Sequence, residues 1–212
     1  MLMNKEQRLF LIAGTCLLAS EIWKQYCLTF VLNDGNYQWW YFPFQLCSVP
    51  MYLCLPLGFL GEGRMRDDLL AFLADYTLLS GTIVFLDTSG MYYDYKLLTI
   101  HSFLWHFVLI LLGIYAGTRK RGRSIRSFKG ATAVYLVCCG IAEVINLSCD
   151  RLGIINMFYI NPHYYMGQLG FRELLRVLPN RAVIAVYILA TVFGAALLHA
   201  GWYRIRSQGN ER

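Results

Sequence analysis

Residues 97–117 read LLTIHSFLWHFVLILLGIYAG, twenty-one positions without a single Lys, Arg, Asp or Glu. About 20 helical residues cross the hydrocarbon core of a bilayer, and lipid offers no partner to exposed backbone, so such a run predicts a transmembrane helix. Working outward, five more apolar stretches have comparable length: Leu9–Leu32, Trp40–Leu60, Leu69–Thr88, Gly130–Cys149 and Pro179–Tyr203. The expected fold is therefore all-α, a polytopic membrane helix bundle with about six transmembrane helices, formed as one integral membrane domain over residues 1–212. Lys5 and Arg8 ahead of the first stretch resemble the start of a signal peptide. The stretch runs on well past Ala19, however, and predicts a retained helix.

Composition agrees. Of 212 residues, 57% are hydrophobic and only 15% charged, whereas soluble domains carry about 25% charged residues. The mean hydropathy is +0.44. Aromatic residues reach 16%, which suits a chain that meets two membrane interfaces. Disorder, a coiled coil and a collagen-like fibre are excluded. The net charge of +6 does not point to nucleic acid, because the cations sit in short clusters between apolar segments.

Those clusters set the orientation. With the N-terminus in the cytoplasm, the inner segments hold Lys5, Arg8, Arg64, Arg66, the run Arg119, Lys120, Arg121, Arg123, Arg126 and Lys129, and then Arg204, Arg206 and Arg212. The outer segments hold Lys96, Arg151, Arg172, Arg176 and Arg181. Thirteen against five is a strong positive-inside bias and places both termini in the cytoplasm. The segment from Asp150 to Leu178 is then external. It is rich in aromatic and amide side chains, and reads either as an interfacial belt or as a re-entrant wall.

Ionisable groups inside a membrane are costly and tend to face the bundle interior. Counted at 1.5 Å per residue, Cys47 and His106 lie at similar depth in the outer half of the bilayer. Glu143 lies about two turns from the outer end of its helix, with Asn146 one turn shallower on the same face. Glu21 and Lys24 lie at middle to outer depth on the first helix. His101 and His106 are about 140° apart around their helix. His106 shares the small, polar face of Thr99, Ser102 and Gly113, and is the better interior histidine. In the second stretch, Pro50 lacks an N–H and is expected to free the carbonyl of Leu46 beside Cys47. A thiol with an imidazole in reach can become a nucleophile. A cysteine acting as a small hydrophobe and a histidine bonded to backbone are the plainer readings. The seven cysteines, odd in number and without a CxxC pair, do not form a disulfide framework. Neither a metal nor a cofactor is expected.

Phe42-Pro43-Phe44-Gln45-Leu46-Cys47-Ser48 resembles the Leu-Pro-x-x-Leu-Cys-Ser signature of YwaF-type bacterial integral membrane proteins. Trp105-His106-Phe107, Asn146 and Asn156-Met157-Phe158-Tyr159 are similar to further motifs of that family, though Met157 stands where the family prefers Tyr. The resemblance spans about residues 9–200. It implies relation to an animal transmembrane acyltransferase that moves fatty acyl chains onto ether phospholipids, in which a cysteine and a histidine form the catalytic pair. Carried over, these are Cys47 and His106. Asn146 or Asn156 would serve the oxyanion or orient the histidine, and Glu143 and Glu21 would lie in the surrounding shell. The implied function is a lipid acyltransferase or hydrolase of the bacterial cytoplasmic membrane, acting on a phospholipid or lysophospholipid. The alternative is a small-molecule transporter or substrate-capture subunit without catalysis, and a third class is a structural membrane protein.

Overall fold

The computed structural model describes residues 3–119 and 121–209; Lys120 and Arg212 of the basic clusters lie outside them, as does the side chain of Arg206. The chain is helical, with no strand among the described residues. Six helices carry the fold: α1 Lys5–Tyr26, α2 Val49–Phe59, α3 Arg64–Leu86, α4 Lys96–Thr118, α5 Ile125–Cys149 and α6 Asn180–Gly209. Four are long and apolar enough to cross a membrane, namely α3, α4, α5 and α6 up to Ile205.

The helices obey local rules. Asn4 caps α1 and closes a capping box with Gln7 (2.8 and 2.9 Å), satisfying two backbone donors at once. Ser124 caps α5 through the amide of Ser127. On α4, Ile100, Leu104, Phe107 and Leu111 are more than half exposed. Their spacing of four, three and four makes one outward apolar stripe, the face a membrane helix turns to lipid. Helix α3 is the axis of the bundle: 67% of its apolar window is buried, against 33%, 28% and 28% for α4, α5 and α6.

Helices α1 and α2 pack antiparallel and very closely. A Cβ added at Gly58 would stand 2.8 Å from the Cβ of Leu11, and one at Gly14 would stand 3.0 Å from the backbone of Leu55. Only glycine lets the backbones approach this far. The corner where α2 meets α3 is closed by Arg66. Its guanidinium donates to the carbonyls of Leu57 (2.8 Å) and Leu60 (3.0 Å), pairs with Glu6 at 3.2 Å and lies over the ring of Phe10.

The structure departs from the sequence reading at residues 40–60, where one continuous helix is expected. Phe42 is extended, as residues before proline are, and residues 42–48 make no helix. Helix α2 begins at Val49, so Pro50 falls in the first turn, where its missing N–H costs nothing. The eleven residues of α2 rise only about 16 Å, roughly half of a bilayer core. The rest of the expected segment is irregular chain, and it carries Cys47.

Candidate functional site

Irregular backbone at membrane depth persists only where protein covers it or a polar cavity meets it. Residues 41–48 are covered by side chains from three directions. Gln25 of α1 donates to the Tyr41 carbonyl at 2.6 Å. The indole of Trp105 on α4 donates to the Cys47 carbonyl at 3.0 Å. Gln45 spans to the segment after α5, donating to the Asn156 carbonyl (2.9 Å) and accepting from the Phe158 amide (2.8 Å).

That last segment, residues 150–178, folds back into the bundle: Ile155, Met157, Phe158, Ile160 and Met166 join the buried core. Side-chain amides make this possible. Asn146 reads Met157 as a base pair would, donating to its carbonyl (3.1 Å) and accepting from its amide (2.6 Å). Asn156 accepts from the Asn161 amide, and Asn161 donates to the Ile155 carbonyl. The clasp holds Phe158 and Tyr159 at φ 55° and 57°, two successive left-handed residues without glycine. Such strain persists only where the surroundings over-determine it.

Each residue singled out from the sequence can now be placed. Cys47 is a free, partly buried thiol. His106 is buried on α4, and its Nδ1 lies 2.8 Å from the carbonyl of Ser102. A carbonyl only accepts, so Nδ1 carries the proton and Nε2 of the neutral ring keeps a lone pair. Glu21 is 2% exposed; its carboxylate pairs with Lys24 at 2.8 Å and accepts from Gln25 at 2.7 Å. Asn146 is fully buried, with both amide atoms committed to Met157. Asn156 is buried and built into the same clasp. Glu143 is half-buried on α5, its Oε2 enclosed without a hydrogen-bond partner among the described residues.

Lys24 and Glu21 lie within electrostatic reach of Cys47, and Lys24 within that of His101 and His106. His101 lies between the rings of Trp23 (5.4 Å) and Trp105 (5.7 Å), turned toward α1. Tyr93 and Tyr159 are electrostatic neighbours of Cys47. Burial pushes the Tyr159 hydroxyl up to about 12 and raises that of Tyr93, so both are neutral phenols that can donate hydrogen bonds.

A second polar cluster was not anticipated. Asp75, fully buried, lies 2.8 Å from Nδ1 of His199 on α6. It sits at the middle of a π-helical turn of α3, Leu73–Thr77. Asp75 Oδ1 and His199 Nε2 are enclosed without hydrogen-bond partners among the described residues. Trp202, one turn further on, donates to the Ala74 carbonyl at 3.1 Å. The signal was present: each is an ionisable residue well inside an apolar stretch.

Fold and site together define a multi-pass α-helical membrane protein with a polar interior around a broken second helix. Residues 2–203 match the TMEM164 family, and the chain belongs to that family. No curated protein and no solved structure matches it.

Proposed function

We propose that this protein is a lipid acyltransferase or lipid hydrolase of the bacterial cytoplasmic membrane, using Cys47 as nucleophile and His106 as general base and acid. The whole chain would form one integral domain crossing the bilayer six times, with both termini cytoplasmic and the site in the outer half. The observation that carries the reading is the placement of Cys47. Its thiol sits on irregular chain inside the bundle, its carbonyl is fastened to Trp105, and the next residue along α4 is a histidine whose Nδ1 bond leaves Nε2 free to accept.

The chemistry follows from these atoms. His106 Nε2 takes the Cys47 thiol proton, and the sulfur attacks the carbonyl carbon of an acyl ester. The ester C–O bond breaks, and His106 returns the proton to the departing lysolipid hydroxyl. A second hydroxyl, from another lysolipid or from water, then gives its proton to His106 and attacks the thioester, releasing the sulfur. Tyr93 and Tyr159, as neutral phenols, are suited to donate to the oxyanion. No metal or cofactor enters the scheme.

The test is mass spectrometry of purified protein in lipid vesicles with a labelled acyl phospholipid and lysophospholipid. Cys47→Ala and His106→Ala should each abolish transfer or cleavage, and the double variant should be little worse than either, because a nucleophile and its base act as a unit. Cys54→Ala and His101→Ala should retain activity. Activity that survives Cys47→Ala rejects the assignment. A silent wild type that binds a small solute favours the transporter class instead.

A further inference from the structure

We propose that Lys24, held by Glu21, is the positive group that stabilises the Cys47 sulfur as a thiolate. This inference deepens the reading of Cys47 as a nucleophile and rests on it. The helix register carries the argument. Along the antiparallel α1–α2 contact, Gly58 faces Leu11 and Gln7, and Gly14 faces Cys54 and Leu55. Further along, Gln25 bonds the carbonyl of Tyr41. Between these points Leu17 and Met51 share one buried cluster, against which Cys47 packs. The same register sets Glu21 level with Cys47 and brings Lys24, one turn on, beside the irregular chain.

Lys24 and Glu21 form a tight ion pair 2.8 Å apart, with side-chain exposures of 18% and 3%. A buried carboxylate is costly unless paired, so Glu21 fixes where the ammonium stands. Both charges lie within electrostatic reach of Cys47. Tyr93 before α4, His101 and His106 on α4, Tyr159 in the folded-back segment and Tyr187 on α6 also face this interior. Within this group Lys24 and Glu21 form the ion pair, Lys24 its cation and Glu21 its anion. A thiolate forming beside them gains from the first and loses from the second.

The two residues therefore have opposite signs in one experiment. Wild-type protein and the variants Lys24→Met, Lys24→Arg and Glu21→Gln are reconstituted in phosphatidylcholine vesicles. Iodoacetamide labelling of Cys47 is followed between pH 6 and 10 by peptide-resolved mass spectrometry. Below a thiol's pKa the rate tracks the thiolate fraction, so a displacement of one pH unit is about a tenfold change in rate. Lys24→Met should slow Cys47 labelling at pH 7 by roughly three- to tenfold, and Lys24→Arg should restore it. Glu21→Gln should speed labelling. Superimposed profiles, or a shift of Lys24→Met and Glu21→Gln in the same direction, overturn the proposal; the latter is what a purely structural ion pair gives. Cys47 left unlabelled in the folded wild type across the range also overturns it. Because labelling reads the thiol and not acyl transfer, the expected order combined with an inert lipid assay rejects only the enzymatic reading.

Discussion

The indole N–H of Trp105 donates to the backbone carbonyl of Cys47 over 3.0 Å. This bond ties the irregular half of the second segment to α4, one residue ahead of His106. It satisfies a carbonyl that no helix can satisfy, because residues 42–48 are not helical. Trp105→Phe keeps most of the ring and removes the donor. Leaving a buried carbonyl unpaired costs about 1–3 kcal/mol. The variant should unfold at lower temperature in detergent, and hydrogen exchange should rise at residues 44–49. Unchanged exchange there would show that the bond does not hold the segment.

Asn146 and Gln45 should behave as one clasp. Each bonds both a donor and an acceptor in residues 156–158. Asn146→Leu and Gln45→Leu each leave a buried backbone amide without its acceptor, at about 1–3 kcal/mol, while the Met157 and Asn156 carbonyls keep the amides of Ile160 and Tyr159. Limited proteolysis should cut both variants within residues 153–163, where the wild type resists. Groups that share a network couple, so the double variant should lose less than the sum of the singles.

Asp75 and His199 should be unequal partners. Asp75→Leu leaves a buried imidazole nitrogen without its partner, at about 1–3 kcal/mol. His199→Leu leaves a carboxyl group that must take up a proton or carry a lone charge in the bundle, and breaking a buried pair this way costs about 3–5 kcal/mol. Thermal unfolding in nanodiscs should rank His199→Leu well below Asp75→Leu, with Asp75→Asn/His199→Leu recovering part of the loss. Equal losses would indicate that the carboxyl is already protonated in the native protein.

Gly58→Val should separate α1 from α2. Its first added carbon would meet Leu11 at 2.8 Å, closer than real contacts allow, whereas Gly61 has nothing within 4 Å of the same position. Over-packing of this kind costs about 1–3 kcal/mol. Gly61→Ala should be neutral within about 0.5 kcal/mol, and a comparison of melting temperatures decides between them.

Reporter fusions at Gly122 and Gly209 should both read cytoplasmic, as the thirteen-to-five distribution of Lys and Arg requires. An external reading at either position rejects the proposed orientation.

The membrane class and the long helices were legible because twenty apolar residues in lipid have few other options. Residues 97–117 became α4 almost unchanged, extended by Lys96 and Thr118. The break before α2 was not legible, since prolines in a membrane segment can either kink a helix or start one, and only packing chooses. Depth counting singled out Cys47, His106 and Glu21, of which the structure buries His106 and Glu21 and partly buries Cys47. Gln45 and Trp105 were missed as contributors, because their role lies in bonds to backbone more than fifty residues away. How α1 lies against the second segment is a matter of register between helices, which periodicity within one helix does not reveal. The pairing of Asp75 with His199 was not legible for the same reason, since 124 residues separate them and only the packing of α3 against α6 brings them together.

The clasp around residues 155–161 is made of carboxamides: Gln45, Asn146, Asn156 and Asn161. A carboxamide has no proton to lose or gain in the biological range, and its bonds are indifferent to ionic strength. The bonds among these amides and the backbone therefore neither titrate nor depend on charge screening. At the edge of the clasp Asp150 accepts from Asn161 at 3.3 Å and pairs with the exposed His163 at 3.0 Å. Changes in the surrounding medium would loosen the fringe first and leave the clasp behind it in place.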